Sequence, residues 1–161
     1  MTDIGIAFVG TISAGKTTLL NALFTESLGN THIKKTTLLP HIYHESTKVD
    51  IYEHIKENTA DKNLVFLKNI AESKIEKLEE IHYNVKKLND FIKFQKEVNL
   101  KLYDIPGLND STTKNIYYEY LNGIFKDINI IIWTIDVNSS INTSDEIDIC
   151  NNLINNIKSN Y

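Results

Sequence analysis

The stretch Gly10–Thr18, GTISAGKTT, decides the predicted fold of this chain. It begins with a full match to GxxxxGK followed by Ser or Thr, a pattern whose glycines let successive backbone N–H groups turn toward a phosphate. The apolar run Ile4–Val9 precedes it, and the segment Lys16–Leu28 that follows carries leucines at helical spacing. This order of strand, loop and helix is the context that a phosphate-binding loop (P-loop) requires.

The chemistry of the loop assigns a role to its residues. Lys16 supplies a point charge for the β- and γ-phosphates of a nucleotide, and we predict that it contributes to catalysis. The hydroxyl of Thr17 is a hard oxygen ligand of the kind that Mg²⁺ prefers. The helix N-terminus adds its positive end to the same anion. The predicted nucleotide-binding residues are Gly10, Ser13, Ala14, Gly15, Lys16, Thr17 and Thr18.

A second motif, DIPG at Asp104–Gly107, follows the alternating apolar segment Val98–Tyr103. An aspartate at the C-terminal end of a strand beside the P-loop strand is well placed to hold Mg²⁺ through water. Gly107 can offer its backbone N–H to a γ-phosphate, because no side chain blocks a close approach. We therefore predict Asp104 as a metal-binding residue and Gly107 as a catalytic one.

Two threonines, Thr36 and Thr37, lie in the polar segment Thr31–Pro40, which is predicted to be an exposed loop. A threonine hydroxyl in this loop can close over Mg²⁺ and order the loop when a γ-phosphate is present. On this reasoning either threonine is a candidate metal ligand and catalytic residue.

Strands and helices are predicted to alternate along the chain, which favours an α/β fold with a doubly wound, mostly parallel sheet and flanking helices. The apolar run Ile128–Val137 reads as a fully buried strand. We expect the strands Leu88–Phe94 and Val98–Asp104 to form a hairpin. The other predicted strands are Ile4–Val9, His41–Asp50 and Asn129–Asp136, and the predicted helices are Lys16–Leu28, Asp61–Glu80, Thr113–Phe125 and Thr143–Lys158.

Composition limits the classes of function. The 161 residues suffice for one domain, and a net charge of −4 gives no basic surface for nucleic acid. No apolar segment is long enough to span a bilayer, and the single cysteine fits a reducing compartment, so we expect a cytoplasmic location. All 17 basic residues are lysines. This chain, or an identical partner, therefore supplies no arginine finger.

Four segments together resemble the GTPase domain of the dynamin superfamily. SAGKTT is similar to that family's SAGKSS, Thr37–Pro40 fits its T-x-x-P pattern, and DIPG resembles its DLPG after a long insertion. The stretch Asp136–Cys150, DVNSSINTSDEIDIC, resembles the family's segment after the fourth strand. The resemblance implies a dynamin-type G domain over residues 1–161, GTP and Mg²⁺ as ligands, and Thr37 rather than Thr36 as the metal-sensing threonine.

The resemblance also implies a G-domain homodimer across the nucleotide face. No base-reading N/T-K-x-D segment follows the DIPG motif in the 161 residues, so we expect them to be the N-terminal portion of the domain. The family's membrane-binding parts lie outside the matching segments, so membrane association is not predictable from these residues.

Two positions depart from the family's pattern, and a third position matches it. Ile12 stands where many dynamins have a glutamine that helps position the attacking water, and isoleucine cannot orient water by hydrogen bonding. Ser140 stands where many have an acidic residue that acts across the dimer. Ser13 matches the serine that helps hold a monovalent cation in dynamins.

Three functions follow from these residues. The first is a Mg²⁺-dependent GTPase, and the second is a nucleotide-binding switch or scaffold with little or no hydrolysis. The third is an ATP-using P-loop protein such as a kinase, against which the pairing of DIPG with T-x-x-P argues. The five histidines lack zinc-ligand spacing with cysteine and are not expected to be catalytic.

Overall fold

A computed structural model of the protein describes residues 2–24, 37–50, 52–72, 74–75, 77–87, 98–138 and 140–160. Five strands lie in this part of the chain: β1 (Thr2–Gly10), β2 (His41–Glu45), β3 (Ile81–Val85), β4 (Val98–Asp104) and β5 (Ile130–Thr134). The helices are α1 (Lys16–Phe24), α2 (Tyr52–Ala71), α3 (Lys114–Ile124) and α4 (Ser144–Asn160), with short 3₁₀ turns at Phe125–Asp127 and Ser140–Asn142. No helix in the described ranges is both long and apolar enough to cross a membrane.

The five strands form one sheet in the order β3-β2-β4-β1-β5. β1 is parallel to both of its neighbours, β4 and β5, and β2 is parallel to β3. Only the β2–β4 pair of the described sheet is antiparallel. The predicted α/β fold with a mostly parallel sheet and flanking helices is confirmed.

The core lies between the sheet and the helices. The central strands are apolar on both faces, as shown by the full burial of Ala7, Phe8 and Val9 in β1, which is typical of strands covered on both sides. Helix α3 contributes the buried Tyr117 and Leu121 to this core. The hydroxyl of Thr143 accepts a hydrogen bond from the Glu146 N–H at 3.3 Å and caps α4, as Thr and Ser residues do at helix starts.

The predicted helix Asp61–Glu80 is wrong at both ends, because α2 covers Tyr52–Ala71 and a separate strand, β3, begins at Ile81. The side chains of β3 alternate between buried and exposed. This two-residue period is a strand signal that the charged sequence before it obscured. The predicted strand His41–Asp50 ends earlier, at Glu45.

Two predictions about β-structure also change. Leu88–Phe94 lies outside the described residues, and the neighbours of β4 in the described sheet are β1 and β2 rather than a hairpin partner. The strand within Ile128–Val137 is not fully buried: β5 lies at an edge of the described sheet, and Ile130 is 47% exposed. An apolar run indicates a strand but not how many neighbours cover it.

The predicted exposed loop Thr31–Pro40 is wrong over its last four residues. Residues 31–36, including Thr36, lie outside the described part of the chain. Thr37, Leu39 and Pro40 are buried, with Leu39 in the hydrophobic core. Leu39 lies in the core and Leu38 packs against it, so this part of the segment is buried although the residues before it are polar.

Two glycines give opposite predictions for stability. A Cβ on Gly5 would clash with the backbone carbonyl of Asp127, whose carbon lies at 3.1 Å, whereas a Cβ on Gly123 would meet no atom within 4 Å. We expect Gly5→Ala to lower the free energy of unfolding by about 1–3 kcal/mol through overpacking. Gly123→Ala, within α3, should raise it by about 0.5–1 kcal/mol. Urea denaturation of both variants checks this, and equal effects would contradict the β1 packing described above.

Candidate functional site

The P-loop begins where β1 ends, and its backbone adopts conformations that favour glycine. Gly10 has φ of 152° and Gly15 has φ of 92°, and between them Ser13 has φ of 62°. A Cβ on Gly10 would lie 2.8 Å from the Thr134 hydroxyl oxygen, so glycine lets the end of β1 pass close to β5. Positive φ within a tight loop is a device that turns backbone N–H groups toward a common anion.

The other predicted loop residues lie at the start of α1. The Ala14 N–H donates to the Thr11 carbonyl at 3.4 Å and closes the turn before the helix. The side chains of Ser13 and Thr18 are exposed, and Lys16 and Thr17 occupy the first turn of α1. The structure therefore brings all seven predicted nucleotide-binding residues to the end of β1 and the N-terminus of α1.

The Lys16 ammonium folds back across the loop. Its Nζ donates to the Thr11 carbonyl at 2.7 Å and to the Gly10 carbonyl at 3.3 Å, and the residue is only 6% exposed. Burial lowers the pKa of Lys16 from its usual 10.5 to about 8, although the nearby Asp104 opposes the shift. The loop therefore holds a buried cation that any bound anion would stabilise.

Asp104 and two threonines converge next to this lysine. The Thr17 hydroxyl donates to Asp104 Oδ2 at 2.8 Å, and the Thr37 hydroxyl oxygen lies 3.4 Å from that of Thr17. Asp104 is fully buried, and burial raises its pKa against the opposing effects of Lys16 and of hydrogen bonds from both threonines. The predicted metal-binding residues Thr17, Thr37 and Asp104 are thus brought together.

This oxygen set fits a hard divalent cation. Asp104 Oδ1 is buried and has no hydrogen-bond partner among the described residues. A buried carboxylate oxygen without a partner is costly unless something binds it. Together with the threonine hydroxyls it matches the oxygen ligands that Mg²⁺ takes in proteins.

The DIPG motif packs directly on the P-loop. The Leu108 N–H donates to the Gly10 carbonyl at 3.2 Å, and the Ile105 N–H donates to the Phe8 carbonyl at 3.2 Å. A Cβ on Gly107 would lie 2.7 Å from the backbone nitrogen of Ile12 and 2.8 Å from its Cα. Glycine at position 107 is therefore required by the close approach of the two loops.

Asn109 is a site residue that sequence reasoning missed. Its Oδ1 accepts a hydrogen bond from the Ile12 N–H at 2.7 Å, so it ties the segment after DIPG to the middle of the P-loop. The residues are 97 positions apart. An asparagine two positions after a loop glycine is an ordinary turn residue, and no local signal would have identified this contact.

Other residues considered from sequence lie away from this cluster. Asp136 accepts a hydrogen bond from the Asn138 N–H at 2.9 Å in the turn after β5. The side chain of Ser140 lies outside the described part of the chain. His41 is buried among tyrosines, and burial lowers its pKa to about 4. No group of three or more His, Cys, Asp and Glu residues in the described ranges could hold a metal.

The buried Lys16 predicts a specific pH dependence of stability without nucleotide. The unfolded chain keeps the lysine proton up to about pH 10.5, whereas the folded chain releases it near pH 8. The unfolded state binds more protons in this window, so the free energy of unfolding should rise with pH. Between pH 8 and about 9.5, below the tyrosine range, we expect a gain of about 1–2 kcal/mol relative to Lys16→Met. Urea denaturation at several pH values measures it, and parallel profiles for the two proteins would refute the assignment.

The chain is similar to known proteins over the residues that form this site. The family model described as the dynamin family matches residues 6–159. An uncharacterized protein of Acanthamoeba polyphaga mimivirus is 23% identical to this chain over 148 residues, which cover 84% of this chain and 24% of that protein. The chain thus spans about a quarter of the length of this curated relative.

The family match runs from Ile6, within β1, to Ser159, near the end of α4, and includes the P-loop, Thr37 and the DIPG motif. It confirms the resemblance predicted from SAGKTT, T-x-x-P and DIPG. The chain belongs to the dynamin family and has the P-loop fold of that family's GTPase domain.

Proposed function

We propose that this chain binds GTP together with Mg²⁺ and hydrolyses the γ-phosphate, with residues 1–161 acting as one G-domain unit. The observation that carries the proposal is the cluster in which Lys16, Thr17, Thr37 and Asp104 meet at the end of the P-loop. A buried cation and a buried carboxylate, each with threonine hydroxyls or carbonyls around it, are hard to explain by packing alone.

Lys16 is suited to a triphosphate because of how it is held. A lysine ammonium has three N–H donors, and the carbonyls of Gly10 and Thr11 accept two of them. The third remains for a phosphate oxygen. Phosphate charge beside the ammonium would also raise its pKa from about 8 and keep it protonated at neutral pH.

Thr17 and Asp104 would hold Mg²⁺, and Thr37 would join them. When bound, Mg²⁺ supplies neutralising charge for the β- and γ-phosphates. The residues themselves would position the triphosphate: Thr37 through its hydroxyl, and Gly107 through its backbone N–H. The close packing of Gly107 on Ile12 supports this role, since it keeps the DIPG motif beside the P-loop.

A second candidate function, a nucleotide-dependent switch with little hydrolysis, is favoured by a specific observation. Ile12 faces Gly107 with an apolar side chain, and its backbone N–H is already bonded to Asn109. The chain also contains no arginine to stabilise charge on the transferring phosphate. Hydrolysis by this chain would therefore depend on backbone groups, Thr37 and Lys16.

The proposal extends to partners and location. The family resemblance supports a homodimer of G domains across the nucleotide face, and the net charge of −4 gives no reason to expect nucleic acid as a ligand. We propose a cytoplasmic location, in keeping with a single cysteine in 161 residues.

The first test measures nucleotide choice and turnover. Fluorescent GTP should bind the wild-type chain, and GTP should compete better than ATP. Lys16→Ala should weaken binding about 10- to 100-fold, because it removes a charge-assisted hydrogen bond. Single-turnover release of phosphate from [γ-³²P]GTP then separates the two candidate functions. Tight binding with no release above the Lys16→Ala background would favour the switch, whereas stronger competition by ATP would overturn the GTP assignment.

The second test concerns Mg²⁺. Asp104→Asn keeps the size of the side chain but removes the carboxylate, so added Mg²⁺ should no longer tighten triphosphate binding. The same substitution at Asp136, an aspartate in the turn after β5, is the matched control and should leave the Mg²⁺ effect intact. Titration of MgCl₂ at fixed fluorescent nucleotide measures both. An undiminished Mg²⁺ effect in Asp104→Asn would exclude Asp104 as a metal-binding residue.

A further inference from the structure

The segment Thr37–Pro40, which carries the metal-sensing threonine, is held in place by a contact from a distant helix. The Tyr117 hydroxyl, on α3, donates a hydrogen bond to the Leu38 carbonyl at 2.7 Å. Leu38 directly follows Thr37, whose hydroxyl oxygen is 3.4 Å from that of Thr17. The contact joins residues 79 positions apart.

Tyr117 is itself firmly placed. The residue is fully buried, and its ring stacks on Phe66 of α2 with centroids 6.5 Å apart and an angle of 26° between the planes. Burial raises the pKa of its hydroxyl to about 12, even further above neutral pH than the usual value of 10, and the hydroxyl is a hydrogen-bond donor. A hydrogen bond with the side chain of Thr113 opposes this shift.

Thr113 connects the same hydroxyl to the second loop of the site. It is 3% exposed and precedes α3, at the end of the segment that follows DIPG. One buried hydroxyl therefore contacts both the segment that carries Thr37 and the segment that follows Gly107. Neither contact is needed to fill the core, because a phenylalanine ring would occupy the same volume.

We propose that Tyr117 is a positioning residue that holds Thr37 beside Thr17 and Asp104 before nucleotide arrives and links Thr37–Pro40 to the loop that carries Gly107. The inference rests on the proposed function for its consequence in nucleotide binding. Its physical basis is preorganisation: a segment already in its bound position loses less conformational entropy when ligand binds. Tyr117 does not touch the nucleotide in this proposal and acts through Thr37.

Helix α3 offers a matched control for the experiment. Tyr120, on the same helix, donates a hydrogen bond of the same 2.7 Å length to Glu80 Oε1, away from Thr37. Tyr117→Phe and Tyr120→Phe each remove one such hydroxyl and keep the ring. A general loss of stability from α3 should affect both variants, whereas a positioning role belongs to Tyr117 alone.

The first measurement needs no nucleotide. Hydrogen–deuterium exchange of a peptide that covers Thr37–Ile42 should be about fivefold faster in Tyr117→Phe than in wild type, which is the factor for one net hydrogen bond. The same peptide in Tyr120→Phe should exchange at the wild-type rate. Equal exchange in the two variants would overturn the inference.

The second measurement titrates MgCl₂ against fluorescent GTPγS and GDP. Tyr117→Phe should require about fivefold more Mg²⁺ for half-maximal tightening of GTPγS binding, with GDP affinity in the absence of Mg²⁺ unchanged. Tyr120→Phe should behave as wild type. A wild-type protein that binds neither nucleotide would overturn the proposed function, and the exchange result would still decide whether Tyr117 holds Thr37. Identical Mg²⁺ requirements in the two variants would contradict the coupling.

Discussion

Parallel pairing of β1 with β4 is the constraint on which the candidate site depends. In this pairing Phe8 lies opposite Asp104, so the chain leaves β1 at Gly10 and β4 at Asp104 at the same edge of the sheet. The P-loop and the DIPG motif therefore start side by side and pack against each other. Backbone hydrogen bonds from Ile105 and Leu108 continue the pairing past the strand ends and bring Gly107 against Ile12.

Two ionisable side chains, Lys16 and Asp104, are buried where these two loops meet. Burial lowers the pKa of Lys16 and raises the pKa of Asp104, and each shift favours the neutral form of the side chain. Buried charges of this kind are poor contributors to stability. If phosphate and a hard cation bind as proposed, they would compensate both charges, and the lower stability of the nucleotide-free chain would be matched by affinity for these ligands.

Contacts from outside the motifs connect the segments that form the site. Asn109 bonds the Ile12 backbone, and Tyr117 bonds the Leu38 carbonyl while its ring stacks on α2. These are single hydrogen bonds, each of modest net free energy. They connect the P-loop to the segment after DIPG, and α3 to the segment that carries Thr37.

The amino-acid sequence by itself determined the fold class, the family and the identity of the P-loop and DIPG residues, because glycine spacing and strand–loop–helix order are local properties of the chain. It did not reveal β3, whose short alternation is hidden by charged residues, or the half-exposed edge position of β5, since burial depends on which neighbours a strand acquires. Asn109 and Tyr117 were equally invisible, because their partners lie 97 and 79 residues away. Local pattern thus specified what chemistry the chain carries, and only the packing of distant segments decided which side chains hold that chemistry in place.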